Sequence, residues 1–173
     1  MARITLKRLI LFSAAAILIC GSYAFFAYSN TVLFNRSHSL PGHIYLRKEI
    51  GTFKTGDIYA VCPAKNIAHT GKIIGSLIDS SLCPTGISPL IKILAAMPGD
   101  YIEADGIHDI KINGKTFKGS APRKDSILPV YIFNGRLPDD SYLILTPHFD
   151  SFDSRYFGTV QQQNFLSHLS LVF

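Results

Sequence analysis

The stretch from Leu9 to Tyr28, LILFSAAAILICGSYAFFAY, contains no charged side chain. Twenty such residues at a helical rise of about 1.5 Å cover about 30 Å, the thickness of a bilayer's hydrocarbon core. Tyr23 and Tyr28 fall toward the far end, where interfacial aromatic residues sit. The competing reading is a cleaved signal peptide, whose apolar region usually spans about 7–15 residues with a small-x-small site behind it. This run is longer, and any such site lies inside apolar sequence, so an uncleaved anchor is expected. Arg3, Lys7 and Arg8 precede the run closely, whereas Arg36, Arg47 and Lys48 follow at greater distance. The positive-inside rule then predicts a cytoplasmic segment 1–8, an anchor 9–28 and a domain 29–173 beyond the membrane.

Charged residues make up only 17% of the chain, against about 25% in ordinary soluble domains, which agrees with a membrane segment. The formal net charge is +5. The Lys and Arg residues are scattered, in runs no longer than two, with no zinc-finger or helix-turn-helix pattern. That distribution suits a basic surface near anionic lipid headgroups, and no nucleic-acid partner is expected. The six His residues are also scattered, so no metal, no cofactor and no His-based triad is expected. Cys20 lies in the apolar run and reads as a small hydrophobe. Cys62 and Cys83 each precede a Pro, with no CxxC partner and no His at zinc-ligand spacing. They pair as a disulfide if the domain faces an oxidising compartment and are two free thiols otherwise.

Beyond the anchor the pattern is one of short strands: Ile44–Arg47, Ile58–Cys62, Lys72–Ile78, Leu90–Met97 and Tyr142–Thr146. The segment Asp109–Phe117 holds Asn113-Gly114, the strongest short hairpin signal. Gly119–Pro129 reads as a long exposed loop, and no long amphipathic helix is visible. The expected fold class is mainly β, with antiparallel sheets attached to one N-terminal transmembrane helix.

Three motifs carry candidate chemistry. Ser37-His38-Ser39-Leu40-Pro41-Gly42 places a Ser on a turn stiffened by Pro, which restricts its own φ and the residue before it. An ordinary turn is the bland alternative. Lys92 stands alone in the apolar strand Leu90–Met97, where Leu90, Leu94 and Ala96 share its face. Desolvation lowers the pKa of such an amine, and a neutral Lys can act as a general base. The bland alternative is a Lys reaching solvent from an edge strand. In Asp150–Gly158, Asp153 and Arg155 can form a structural ion pair, and Ser151 can hydrogen-bond an amine.

The ordered set resembles the signal peptidase I superfamily: Ser39-Leu40-Pro41, then Lys92 with Pro98-Gly99-Asp100 behind it, then Asp153-Ser154-Arg155-Tyr156-Phe157-Gly158. Gly56-Asp57-Ile58 and the Ile112-Asn113-Gly114 hairpin sit where that superfamily has similar elements. Cys62-Pro63, Cys83-Pro84 and Pro89–Lys92 followed by Ala95-Ala96 are similar to the TraF-type peptidases of conjugation systems. Thr146-Pro147-His148-Phe149 replaces the Gly-Asp-Asn-Arg of housekeeping signal peptidases. One departure is Gly42-His43, where the glycine has moved one place.

The resemblance implies a signal-peptidase-like β-rich domain and a serine endopeptidase on the periplasmic face of a bacterial inner membrane. Ser39 would be the nucleophile and Lys92 its base, with Asp153 as a third catalytic residue. Ser37 and the Ser39 N–H would form the oxyanion hole and Ser151 would orient the amine. Arg155, Cys62 and Cys83 would be structural. The implied partners are a preprotein substrate, above all a conjugative pilin matured by cleavage or cyclisation, and the conjugation machinery. The alternatives are a general signal peptidase I and a non-catalytic subunit of a conjugation or secretion machine.

Overall fold

The computed structural model describes residues 6–173, and side chains at residues 12–25 and 31–173. Helix α1, Leu6–Thr31, runs directly into strand β1, Val32–Phe34. The backbone of the expected anchor 9–28 is helical throughout. The side chains at its two ends, and residues 1–5, lie outside the described residues. Among the described residues no helix is long and apolar enough to cross a membrane. Within 12–25 the large apolar side chains, among them Phe12, Ile17, Leu18, Ile19 and Phe25, are all exposed.

The rest of the chain forms two antiparallel sheets. The strands are β2 Ile44–Lys48, β3 Ile58–Val61, β4 Leu90–Ala96, β5 Tyr101–Ala104, β6 Lys111–Ile112, β7 Lys115–Thr116, β8 Phe133–Arg136, β9 Leu143–Leu145 and β10 Phe165–Leu171. The six-stranded sheet has the order β1-β2-β10-β3-β4-β9, and the four-stranded sheet β7-β6-β5-β8. Strand β4 is thus central, antiparallel to β3 on one side and β9 on the other. Its Ile and Leu residues suit a strand buried on both faces. Leu90 and Leu94 pack with Tyr59, Val61 and Ile144 in the largest core cluster. Ile91 packs on the opposite face with Tyr45, Ala60 and Leu169. A register shift between Leu94 and Ala96 sends the strand's end into a second cluster with Ile102, Leu143 and Leu145.

The mainly β expectation matches this architecture, and four of the five expected strands appear within a residue or two of their ends. The fifth, Lys72–Ile78, does not form. Its first residues close helix α2, Lys65–Ile73, and a turn follows. Ile67, Ala68 and Gly71 bury one side of α2. Gly71 lies so close to Leu77 and Phe152 that a Cβ there would meet their carbons at 2.4 and 2.9 Å. The Asn113-Gly114 hairpin forms between β6 and β7, with both turn residues at positive φ (50° and 76°). The edge strand β8, the short β5 and the serine-interrupted β10 lie outside the expected set.

Cys62 and Cys83 are disulfide-bonded and close the segment that holds α2. The two half-cystines are 21 residues apart, and a loop of that length restricts the unfolded chain by about 3 kcal/mol. Replacing both cysteines by Ser should therefore lower the unfolding free energy by about that amount, read as a lower urea midpoint. Peptide mass spectrometry without reductant should return the linked pair. Two alkylatable thiols in exported protein would contradict it.

Candidate active site

Lys92 is the third residue of β4, directly opposite Tyr59 of β3. Sheet packing fixes its backbone and leaves its side chain only 4% exposed. The turn between β1 and β2 brings Ser39 to it across the chain: Lys92 Nζ lies 3.1 Å from Ser39 Oγ. Lys92 Nζ also donates to Ser151 Oγ at 2.9 Å. Ser39 is itself 8% exposed, so neither partner is well hydrated. Burial lowers the Lys92 pKa from 10.5 to about 8; the Asp153 charge opposes that shift and Arg155 adds to it.

The turn that carries Ser39 is braced from within. Asn35 is buried, and its Nδ2 donates to the carbonyls of Leu40 (3.2 Å) and Gly42 (3.1 Å). Its Oδ1 accepts from the Ser37 N–H (3.1 Å) and the Ser37 hydroxyl (3.0 Å). Ser37 Oγ is 2.9 Å from Ser39 Oγ. Gly42 has φ 77°, and a Cβ there would meet Leu171 Cδ1 at 2.2 Å. The shifted glycine is therefore required where it stands, by both backbone conformation and space.

Asp153 and Arg155 lie beyond Ser39 and Lys92, both fully buried. Arg155 Nε donates to Asp153 Oδ1 at 2.7 Å, and a second guanidinium nitrogen donates to Asp153 Oδ2 at 2.9 Å. The same guanidinium donates to the carbonyls of Thr146, Gly119 and Ala121. Asp153 also accepts from the Thr146 N–H at 3.1 Å and caps the short helix α3, Ser154–Phe157. Its carboxylate bonds to Arg155 and Thr146, and it reaches Lys92 through charge.

Sequence reasoning singled out Ser37, Ser39, Lys92 and Ser151, and these four hydroxyl and amine groups converge. Asp153 and Arg155 form a second layer, and the Cys62–Cys83 bond lies outside the polar centre. A cleft of about 480 Å³ opens over Ser39 and Lys92, with Leu77, Ile78, His148 and Asp150 among its walls. The segment after α2 forms one wall and His148–Phe152 another. Asn35 and the α2 wall escaped the sequence reading; the one available signal for Asn35 was an Asn two places before Ser37. Among the described residues no three His, Cys, Asp or Glu side chains converge.

The family model for signal peptidase, peptidase S26, matches residues 4–173 of this chain. The chain belongs to that family. Conjugal transfer protein TraF of Agrobacterium fabrum is 32% identical over 124 residues, 69% of each chain. Its counterpart from Agrobacterium tumefaciens is 30% identical over 122 residues, 68% of each chain. A probable conjugal transfer protein TraF of Sinorhizobium fredii is 32% identical over 108 residues, 61% of this chain; this chain spans 56% of that relative. The crystal structure of a signal peptidase I from Enterococcus faecalis aligns with a TM-score of 0.42 at 22% identity, covering 70% of this chain and 100% of that one. The chain is thus a TraF-type member of the signal peptidase family, a family of serine peptidases.

Burial of Lys92 has a measurable cost. In the folded peptidase Lys92 loses its proton near pH 8, in the unfolded chain near 10.5. Between those values the unfolded state holds more protons, so stability rises with pH. Below pH 8 the folded state must bury an ammonium. The wild type should gain about 1 kcal/mol between pH 7 and pH 9, and Lys92→Met should remove this gain. Urea unfolding of both proteins at pH 7 and pH 9 measures it; equal slopes would contradict it.

Proposed function

We propose that this peptidase cleaves an exported precursor beside the membrane, with Ser39 as nucleophile and Lys92 as general base. The observation that carries the reading is the 3.1 Å contact between Ser39 Oγ and the buried Lys92 Nζ, 53 residues apart in sequence. Ser39 Oγ attacks the scissile carbonyl while its proton passes to neutral Lys92. The Ser39 N–H and the Ser37 hydroxyl stabilise the oxyanion. The C–N bond breaks as the new amine takes the proton from the Lys92 ammonium, leaving an acyl-enzyme on Ser39. Lys92 then deprotonates water, or the substrate's own amino terminus, and returns that proton to Ser39 Oγ as the acyl bond breaks, releasing a linear or a cyclic product. Ser151 holds the Lys92 amine in line, and Asp153, paired with Arg155, supplies the negative charge that moderates its pKa.

Three TraF proteins of conjugal transfer among the relatives favour a conjugative pilin precursor as the substrate. The uncharged segment 9–28, helical in backbone and exposing its described apolar side chains, supports a single anchor. The Cys62–Cys83 bond supports a periplasmic location for residues 29–173. Protease added to spheroplasts should digest this domain, and complete protection would refute the topology.

Ser39→Ala and Lys92→Ala should each abolish processing, seen as accumulated precursor in cells. Their double variant should be no worse, since the two groups act as one unit. Lys92→Arg should not rescue, because a guanidinium does not give up its proton in proteins. The rate should rise with pH through a midpoint near 8, as Lys92 becomes neutral. Normal processing by a well-expressed Lys92→Arg variant would exclude Lys92 as the base.

A further inference from the structure

We propose that Asn35 is a positioning residue for the nucleophile, acting through the Ser37 hydroxyl to set which way the Ser39 proton points. The inference rests on the Ser39–Lys92 reading above and assigns a role to a residue outside that dyad.

The direction of Asn35's amide follows from its surroundings. Its nitrogen faces two backbone carbonyls, those of Leu40 and Gly42, which need donors. Its oxygen faces the Ser37 N–H and hydroxyl, which include a backbone donor that needs an acceptor. A flipped amide would set carbonyl against carbonyl and donor against donor. The oxygen therefore takes the single Ser37 hydroxyl proton.

With that proton committed, Ser37 Oγ can meet Ser39 Oγ, 2.9 Å away, only as an acceptor. Ser39 must then give its own proton to Ser37. In turn Ser39 Oγ can only accept from Lys92, 3.1 Å away. The resting chain thus runs from the Lys92 ammonium through Ser39 and Ser37 to the Asn35 oxygen, every donor and acceptor matched. This arrangement favours protonated Lys92. Once Lys92 is neutral, the Ser39 proton turns toward its nitrogen. As Oγ bonds to the substrate carbonyl, the Ser37 hydroxyl can leave Asn35 for the new oxyanion. Asn35 therefore holds the oxyanion donor in reserve while it braces the backbone on both sides of Ser39.

Asp153 and Arg155 act on Lys92 by charge from behind. Arg36, His38, His148 and Asp150 line the same cleft, and Tyr59 neighbours Lys92 across the sheet. These groups are unchanged in the variants below, so a shift between variants reports on the hydroxyl chain.

The test uses the full chain in detergent and an extended peptide with Ala on both sides of the scissile bond. Cleavage is followed against pH for wild type, Asn35→Ala, Ser37→Ala and the double variant. Asn35→Ala should lose about tenfold in kcat, the worth of about one hydrogen bond, with KM little changed. Its rising limb should move to lower pH, because the chain that favours the ammonium is cut. Ser37→Ala should move the limb the same way, and adding Asn35→Ala to it should move the limb no further. An unmoved limb in Asn35→Ala, or a further shift of the limb in the double variant, would reduce Asn35 to a brace of the turn and overturn the proposal. Should Asn35→Ala fail to fold, Ser37→Ala decides alone: it breaks the chain nearer Ser39 and leaves the bonds to Leu40 and Gly42 in place. An unmoved limb there overturns the proposal equally. Cleavage that survives Ser39→Ala would instead refute the dyad itself.

Discussion

A fully buried guanidinium cannot be left short of acceptors, because each unmatched donor in an apolar interior costs about 1–3 kcal/mol. Arg155 meets that demand from four directions. Its acceptors are the Asp153 carboxylate and the carbonyls of Thr146, Gly119 and Ala121. These belong to the end of β9, the long loop after β7 and the cap of α3. One side chain thereby joins three segments that share no strand pairing. The residues between Thr146 and Asp153 have little freedom left, and Ser151 lies among them. The Lys92 amine thus finds its second partner in a fixed place because Arg155 is satisfied behind it.

The ion pair also sets the electrical surroundings of the amine. Burial alone favours neutral Lys92, and Arg155 pushes the same way, while Asp153 pulls back. Because the carboxylate and the guanidinium are bound to each other, their fields at Lys92 largely oppose. The residual influence is desolvation by the apolar strands. An amine that titrates near pH 8 thus results mainly from where β4 runs in the sheet and only secondarily from charged neighbours.

Much of this was readable from residue order. Short apolar runs bounded by Pro and Gly located β2, β3, β4 and β9, and Asn113-Gly114 located the hairpin. Lys92 stood out because a single ammonium inside LIKILAA is unusual, though a Lys reaching solvent from an edge strand would look the same in sequence. The α2 segment was not readable as a helix. It has nine residues, and its buried side consists of Ile67, Ala68 and Gly71, too small a face for a period of 3.6 to register. Strand β10 was hidden because Ser167, on its inward face, breaks the apolar alternation. Asn35 was illegible for a different reason. Its partners lie two, five and seven residues onward, and only the closed turn brings those carbonyls to its nitrogen. The Asp153–Arg155 pair could be guessed from spacing, but its carbonyl partners at Thr146, Gly119 and Ala121 required the packed structure.

Strands β4 and β9 are hydrogen-bonded neighbours, yet the whole four-stranded sheet is threaded between them in sequence. Topologically the second sheet is an excursion from a single hairpin, leaving and re-entering the main sheet at adjacent points. Lengthening such an excursion costs only a slowly growing closure entropy. It is moored back to the site at Gly119 and Ala121 by Arg155, whereas the stretches near Asp105–His108 and Lys124–Ser126 are exposed and free of that tie. A change of length should therefore be tolerated at those exposed turns and resisted at the mooring. The second sheet can thus change in length while the Ser39 and Lys92 contact stays where the main sheet sets it.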